Sequence, residues 1–258
     1  MSPSREIPIL MYHRVLDSDP RPSAVPVRRF RDQMRHLSRM KFHSLTCGQL
    51  AEAVRSKNPL PTRPVLITFD DGYLDNYKNA FPVLQEFGMV ATVFLVSSQI
   101  NGWNAWETNP TVPKFRLMDM PMIKAMVDTG MEFGSHTCSH VPLNKVPLDK
   151  AEQEMVQSKR RLEDMLGLPV RSLAYPYNGY SADIKRLAAE YGYTNACTAG
   201  DGPRPLLKHL SLDLFELRRI AVPHSCTLAE FKIRVSGYYL FLKDLGDKKK
   251  WRGGGIFY

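Results

Sequence analysis

Val65-Leu66-Ile67-Thr68-Phe69 runs straight into Asp70-Asp71-Gly72-Tyr73. The first five residues are apolar or β-branched on both faces, the habit of a parallel strand covered from both sides. Two adjacent carboxylates at the end of such a strand are costly, because they repel each other and burial penalises both. A metal ion offsets that cost if one carboxylate ligates it, which leaves the other free to act as a base. Gly72 permits the sharp turn that exposes both side chains. The competing reading is a solvated strand-to-helix turn with an aspartate as helix cap.

Outward from this stretch the pattern recurs. Residues 7–13, 64–70, 91–96, 132–136, 172–177, 194–198 and 217–222 are short, mostly apolar runs. Helical signals fall between them. Asp149 with Glu152 has the spacing of a capping box, and Gly167 followed by Pro169 stops that helix. Ser181 caps the next, where Ile184, Leu187, Ala188 and Tyr191 form one apolar stripe and Gly192 closes it. Pro82, inside 75–87, kinks a helix there or begins a second one. Residues 121–128 make a short helix ending at Gly130. Strands alternating with helices predict an α/β fold with a covered parallel sheet, either open and doubly wound or closed into an irregular barrel. Both architectures put chemistry at the C-terminal ends of the strands.

The polar residues collect at those ends. Ser135-His136-Thr137-Cys138-Ser139-His140 follows the fourth run. Histidines at i and i+4 share one face of a helical turn and can reach one divalent ion. Surface helices produce the same spacing by chance, but here it stands at a strand end, with the aspartate pair at another. Cys138, about 200° around the turn from His136, reads as a small buried residue pointing away. Tyr175-Pro176-Tyr177-Asn178-Gly179 is either a turn presenting backbone N–H groups and a tyrosine ring, or an ordinary Pro/Gly turn. His13 ends the first run, where a lone histidine is more often structural. Arg218 and Arg219 lie in the last run. A buried arginine needs a carboxylate partner, and only one of two neighbours on a strand can point inward.

Composition agrees with one folded domain over 1–258, ending in a basic tail from about residue 238. Of 258 residues, 43% are hydrophobic and 24% charged, which excludes disorder, collagen and coiled coil. No apolar run is long enough to span a bilayer. The net charge of +9 permits nucleic acid, anionic lipid or an acidic glycan as partner. Its densest run, Lys248-Lys249-Lys250-Trp251-Arg252, comes with no nucleic-acid-binding pattern, so no nucleic acid is expected. Association with a membrane surface is permitted but unsupported, and the oligomeric state is not indicated. Four scattered cysteines with no CxxC read as reduced thiols. Without an apolar leader the default compartment is the cytoplasm, and a trimmed or mis-assigned N-terminus leaves export open.

Taken together, these stretches resemble the polysaccharide deacetylases of the NodB-homology type, carbohydrate esterase family 4. Thr68-Phe69-Asp70-Asp71-Gly72-Tyr73 matches the first motif of that family, and 135–140 the second. Tyr175-Pro176-Tyr177 is similar to the core of the third. Ile9-Leu10-Met11-Tyr12-His13-Arg14-Val15 is similar to the opening strand of the poly-N-acetylglucosamine deacetylases. The resemblance implies a distorted (β/α)7 barrel that removes the N-acetyl group of an oligo- or polysaccharide. It implies a divalent metal on Asp71, His136 and His140, usually Zn2+, with Co2+, Ni2+ or Mn2+ as alternatives. Asp70 would be the base, His13 the acid, and the Tyr177 backbone N–H an oxyanion donor.

The departures are informative. Ala174 stands where the third motif usually has the arginine that holds the catalytic aspartate, so Arg219, or failing that Arg218, would replace it. No Leu-x-His motif supplies a late acid, and His209 and His224 are poorly placed candidates. The same site could also serve another amide, such as a formamide or a small cyclic amide, or belong to a weakly active carbohydrate-binding protein. Trp103, Trp106 and Phe115, in the polar insert 101–116, either stack on sugar faces or pin the loop.

Overall fold

Parallel strands buried on both faces leave helices little choice but to pack outside them, and closing the sheet removes its edges. The computed structural model, which describes residues 6–200 and 213–239, follows that solution. The strands are β1 (Ile9–Tyr12), β2 (Arg14–Val15), β3 (Ala24–Val25), β4 (His43–Leu45), β5 (Pro64–Phe69), β6 (Thr92–Leu95), β7 (Glu132–Ser135), β8 (Ser172–Ala174), β9 (Asn195–Ala199) and β10 (Leu217–Ala221). β1 pairs in parallel with both β10 and β5, and β5 to β10 pair in chain order, so these seven strands close a barrel. The apolar runs of the sequence are these seven strands, shortened by a residue or more at most ends. β4 is an addition, pairing with the first half of β5 while β6 pairs with the second.

The helices are α1 (Val27–Arg39), α2 (Cys47–Arg55), α3 (Phe81–Glu86), α4 (Met120–Val127), α5 (Leu148–Leu166), α6 (Ala182–Glu190) and α7 (Leu228–Arg234). Pro82 sits in the first turn of α3, directly after a π-helical turn, Asn76–Ala80, so the proline begins a second helix. The Ser181 hydroxyl caps α6 through Ile184 N–H at 3.3 Å. Two helical details differ from the sequence reading. The Asp149–Glu152 capping box does not form, because α5 starts two residues too early. Its N-cap is Pro147, and Asp149 lies inside the first turn, where its charge still favours the helix dipole. Tyr191 is exposed rather than part of the α6 stripe, and its hydroxyl donates to Glu152.

Strand alternation sorts the side chains. Ile9, Leu66, Phe94, Ala174, Cys197 and Leu217, from six different strands, form one buried cluster with Cys47 and Leu50 of α2. Residues from all around a ring can meet only inside it, so these fill the barrel and α2 plugs its floor. Val65, Ile67, Phe69, Val93, Leu173 and Ile220 belong to the second cluster, with the outer helices. Gly134 faces the Phe94 ring so closely that a Cβ would lie 2.7 Å from it. The same parity aims Asp70, His136, His13 and Arg219 inward and Arg218 outward. The basic run 248–252 and His209 lie outside the described residues.

Candidate active site

Asp70 and Arg219 meet at the top of the barrel. Arg219 donates from Nη1 to Asp70 Oδ1 at 2.6 Å and from Nη2 to Oδ2 at 2.7 Å, a bidentate pair with both residues at most 3% exposed. Its Nη1 also lies 3.2 Å from Thr68 Oγ1, and Nε donates to the Thr198 carbonyl at 3.2 Å. Arg218 instead pairs with Glu216. Burial raises the Asp70 carboxyl, but the Arg219 guanidinium, together with His136 and His13, outweighs it and holds the group below its usual range. His13 Nε2 lies 4.0 Å from Asp70 Oδ2, its side chain 31% exposed.

The chain then turns sharply. Asp71 and Gly72 both have left-handed φ, +74° each, and a Cβ on Gly72 would stand 2.5 Å from Leu95 Cδ2. This reversal swings Asp71 away from Asp70 and towards two imidazoles. Asp71 Oδ1 is 3.6 Å from His136 Nε2 and 3.3 Å from His140 Nε2. His136 Nδ1–H donates to the Ala174 carbonyl at 2.9 Å, which leaves the Nε2 lone pair facing Asp71. Burial pushes His136 down to about 4, so the ring is neutral, as a metal ligand must be. Burial raises Asp71, but the neighbouring histidines, His140 foremost, hold it well below the carboxylate range.

Metal fit rests on the donor set and on one orphaned atom. The three ligand atoms lie within 4.8 Å of one another, and Asp71 Oδ1 is buried with no hydrogen-bond partner. Ligands about 2.0–2.2 Å from a tetrahedral ion stand roughly 3.3–3.6 Å apart, the range of the two separations measured from Asp71. The three residues form a possible metal site, and three donors leave one position of a tetrahedral ion to a further ligand.

The histidine loop is not the helical turn that i, i+4 spacing suggests. Thr137 and His140 are left-handed, with φ +65° and +63°, and the rings converge through a strained loop. Cys138, accordingly, is half-buried rather than buried, and it is not among the convergent groups. Nine non-glycine residues among those described have positive φ, and five of them (Asp71, Thr137, His140, Tyr177 and Asn178) surround this site. Backbone strain so concentrated marks a functional constraint.

Rings wall the site. Trp106 stacks on His140 at 4.6 Å and 29°, and Tyr177 meets the same imidazole edge-on at 4.7 Å. Phe115 pins the insert, with the Arg14 and Arg21 guanidinium groups 3.3 Å and 4.7 Å from its centroid. Trp103 is 48% exposed. Sequence reasoning assigned nothing to Arg14, which is buried and bridges Asp19 at 2.6 Å and Asp75 at 3.1 Å. Asn76 donates to the His13 carbonyl at 2.8 Å, so the π-helical turn grips the strand end that carries His13. The available signal is four polar residues among the eight directly after the aspartate pair: Asp75, Asn76, Lys78 and Asn79. His224 is spent elsewhere, its Nδ1 2.8 Å from the Ala24 carbonyl.

The sequence profile of polysaccharide deacetylases matches residues 57–196, more than half of the chain. This chain belongs to the polysaccharide deacetylase family. YxkH of Bacillus subtilis, which carries the family's name, is 31% identical over 197 residues, covering 76% of this chain and 66% of that protein. The poly-beta-1,6-N-acetyl-D-glucosamine N-deacetylase of Staphylococcus epidermidis is 28% identical over 212 residues, 72% of this chain and 71% of that one. The chain thus spans about two thirds of the length of these curated relatives. The solved structure of IcaB from Ammonifex degensii superposes with a TM-score of 0.75 at 25% identity, covering 90% of this chain and 97% of that one. That deacetylase fold is the (β/α)7 barrel described above. The profile's stretch contains Asp70, Asp71, His136, His140 and Tyr177, whereas His13 and Arg219 lie outside it.

Proposed function

We propose that this polysaccharide deacetylase hydrolyses the N-acetyl group of an N-acetylated saccharide of the poly-N-acetylglucosamine kind, releasing acetate and a free amino sugar. The observation that carries the reading is one rim where Asp71, His136 and His140 converge beside a carboxylate–arginine pair, with His13 4.0 Å from that carboxylate. The named relatives point to the polymer. A divalent ion held by those three residues, zinc by preference for two imidazoles and a carboxylate, would polarise the acetamide carbonyl and acidify a water.

The chain's own residues do the rest. Asp70, ionised and fixed by Arg219, takes the proton of the attacking water at a carboxylate oxygen. The Tyr177 N–H donates to the oxygen that becomes negative at the tetrahedral stage. His13 gives a proton to the departing nitrogen, without which the amine leaves as a very poor anion. Trp106 shields the His140 ring from water. Acetate release from short N-acetylglucosamine oligomers, with zinc, with cobalt and with chelator, tests the reading. Release that depends on added metal supports it. No release from any oligomer with either metal rejects it.

A further inference from the structure

Helix α5 carries two buried polar side chains one turn apart, on the face that also holds Ala151, Met155 and Leu162. They are Glu154 and Ser158, and at i and i+4 they stand side by side. Glu154 Oε2 accepts the Ser139 N–H at 2.8 Å, and Oε1 accepts the Ser139 hydroxyl at 2.7 Å. Ser158 Oγ shares a 2.7 Å hydrogen bond with Ser135 Oγ, which accepts the Thr137 N–H at 3.1 Å. Thr137 Oγ1 in turn accepts the His140 N–H at 3.0 Å. A buried carboxylate is expensive, and the cation beside Glu154, Lys150 at 3.2 Å, is itself half exposed. What Glu154 holds is the loop between two histidines, with left-handed residues at 137 and 140 that no chain adopts without restraint.

The two histidines differ in how they are aimed. His136 has its Nδ1 fixed by the Ala174 carbonyl, whereas His140 Nδ1 is buried with no hydrogen-bond partner. The direction of the His140 ring therefore comes from its backbone and from the rings around it, and its backbone is anchored through Ser139.

We propose that Glu154 is a positioning residue for the metal site: its two hydrogen bonds to Ser139 hold loop 136–140 so that His140 faces Asp71. The inference rests on the metal reading of Asp71, His136 and His140. Without Glu154 the loop spends part of its time in other conformers, and apparent affinity falls by the fraction that is competent. Losing an outer partner of a ligand costs about 10- to 100-fold in metal affinity.

The test is zinc titration of the metal-stripped protein against a chromophoric chelator, at a temperature where circular dichroism shows each variant folded. Glu154→Leu should bind zinc about 10- to 100-fold more weakly. Glu154→Gln should stay within a few-fold of wild type, because its oxygen accepts the Ser139 N–H and its amide donates to Ser139 Oγ. Ser139→Ala, which removes one of the two bonds without touching α5, should fall between. A folded Glu154→Leu with wild-type affinity overturns the proposal, as does a Glu154→Gln as weak as Glu154→Leu. If Glu154→Leu does not fold, Ser139→Ala decides, and wild-type affinity there refutes it. Wild type that takes up no zinc overturns the metal reading as well. Wild type that binds, with every variant unchanged, overturns the positioning role alone.

Discussion

Replacing Arg219 by methionine leaves Asp70 buried at 3% exposure with no counter-charge. The substitution keeps volume and apolar stem but removes both bonds to Asp70 and those to Thr68 and Thr198. Breaking one side of a buried pair costs about 3–5 kcal/mol, most of it the stranded charge. At about 2–4 °C per kcal/mol for a chain of this size, Tm should fall by roughly 6–20 °C. Asp70→Asn in the same chain removes the stranded charge, so the double variant should regain at least half of the loss. The pH dependence has a defined sign. In the wild type the Asp70 carboxyl is held down, so its stabilisation is full above about pH 3.9 and is lost as pH falls through the folded value. In Arg219→Met burial, the largest single influence on the group, is opposed only by the weaker pull of His136 and His13 and raises it, so ionising it costs stability as pH rises. The gap between wild type and variant should therefore widen from pH 4 to pH 7. Urea unfolding at both pH values, followed by fluorescence and circular dichroism, measures it. A loss under about 1 kcal/mol at pH 7, or a double variant no more stable than the single one, would refute the reasoning.

Three further outcomes concern the chemistry. His140→Ala should lose most bound zinc by elemental analysis, since two ligands rarely hold an ion that three hold well; full retention would remove His140 from the site. Asp70→Asn should keep its metal yet lose about 10²-fold or more in turnover, and near-normal turnover at saturating substrate would mean another group takes the proton. His13→Ala should slow hydrolysis of an N-acetyl sugar while sparing an activated acetate ester, whose leaving group needs no proton; equal losses on both would make His13 scaffold.

The strands are legible in the sequence because burial on both faces erases the polar half of the pattern, leaving compact apolar runs. What surrounds them is less so. Helix α1 buries only Phe30, Met34 and Leu37 among its apolar residues, and five arginines crowd the same thirteen positions, so its stripe is thin. β4 is three half-exposed or exposed residues and pairs with only half of β5. The histidine spacing picks out two side chains that do converge, but through a different geometry. It reads as a helical turn, but the loop reaches the same convergence by left-handed steps at Thr137 and His140 that no periodicity encodes. Parity separates Arg219 from Arg218 only once the inward face of β10 is known, and Leu217 in the barrel interior supplies that.

The placement of Arg219 alters what the barrel's closure does. An arginine at 174 would come from β8, inside the stretch shared with the family at large; Arg219 comes from β10, on the far side of β1 from Asp70. The Asp70–Arg219 pair therefore spans the seam β5–β1–β10, the two pairings that turn an open sheet into a ring. His13 leaves the end of β1, the middle strand of that seam. Residues 57–196 alone would hold the three convergent residues and Asp70, but Asp70 would be without Arg219 and without His13. Closing the ring supplies both at once. With Ala174 small, its side chain joins the interior cluster and its carbonyl receives His136 Nδ1–H. Position 174 thus orients His136 through its carbonyl, and the Arg219 charge ties Asp70 to the strands that complete the barrel.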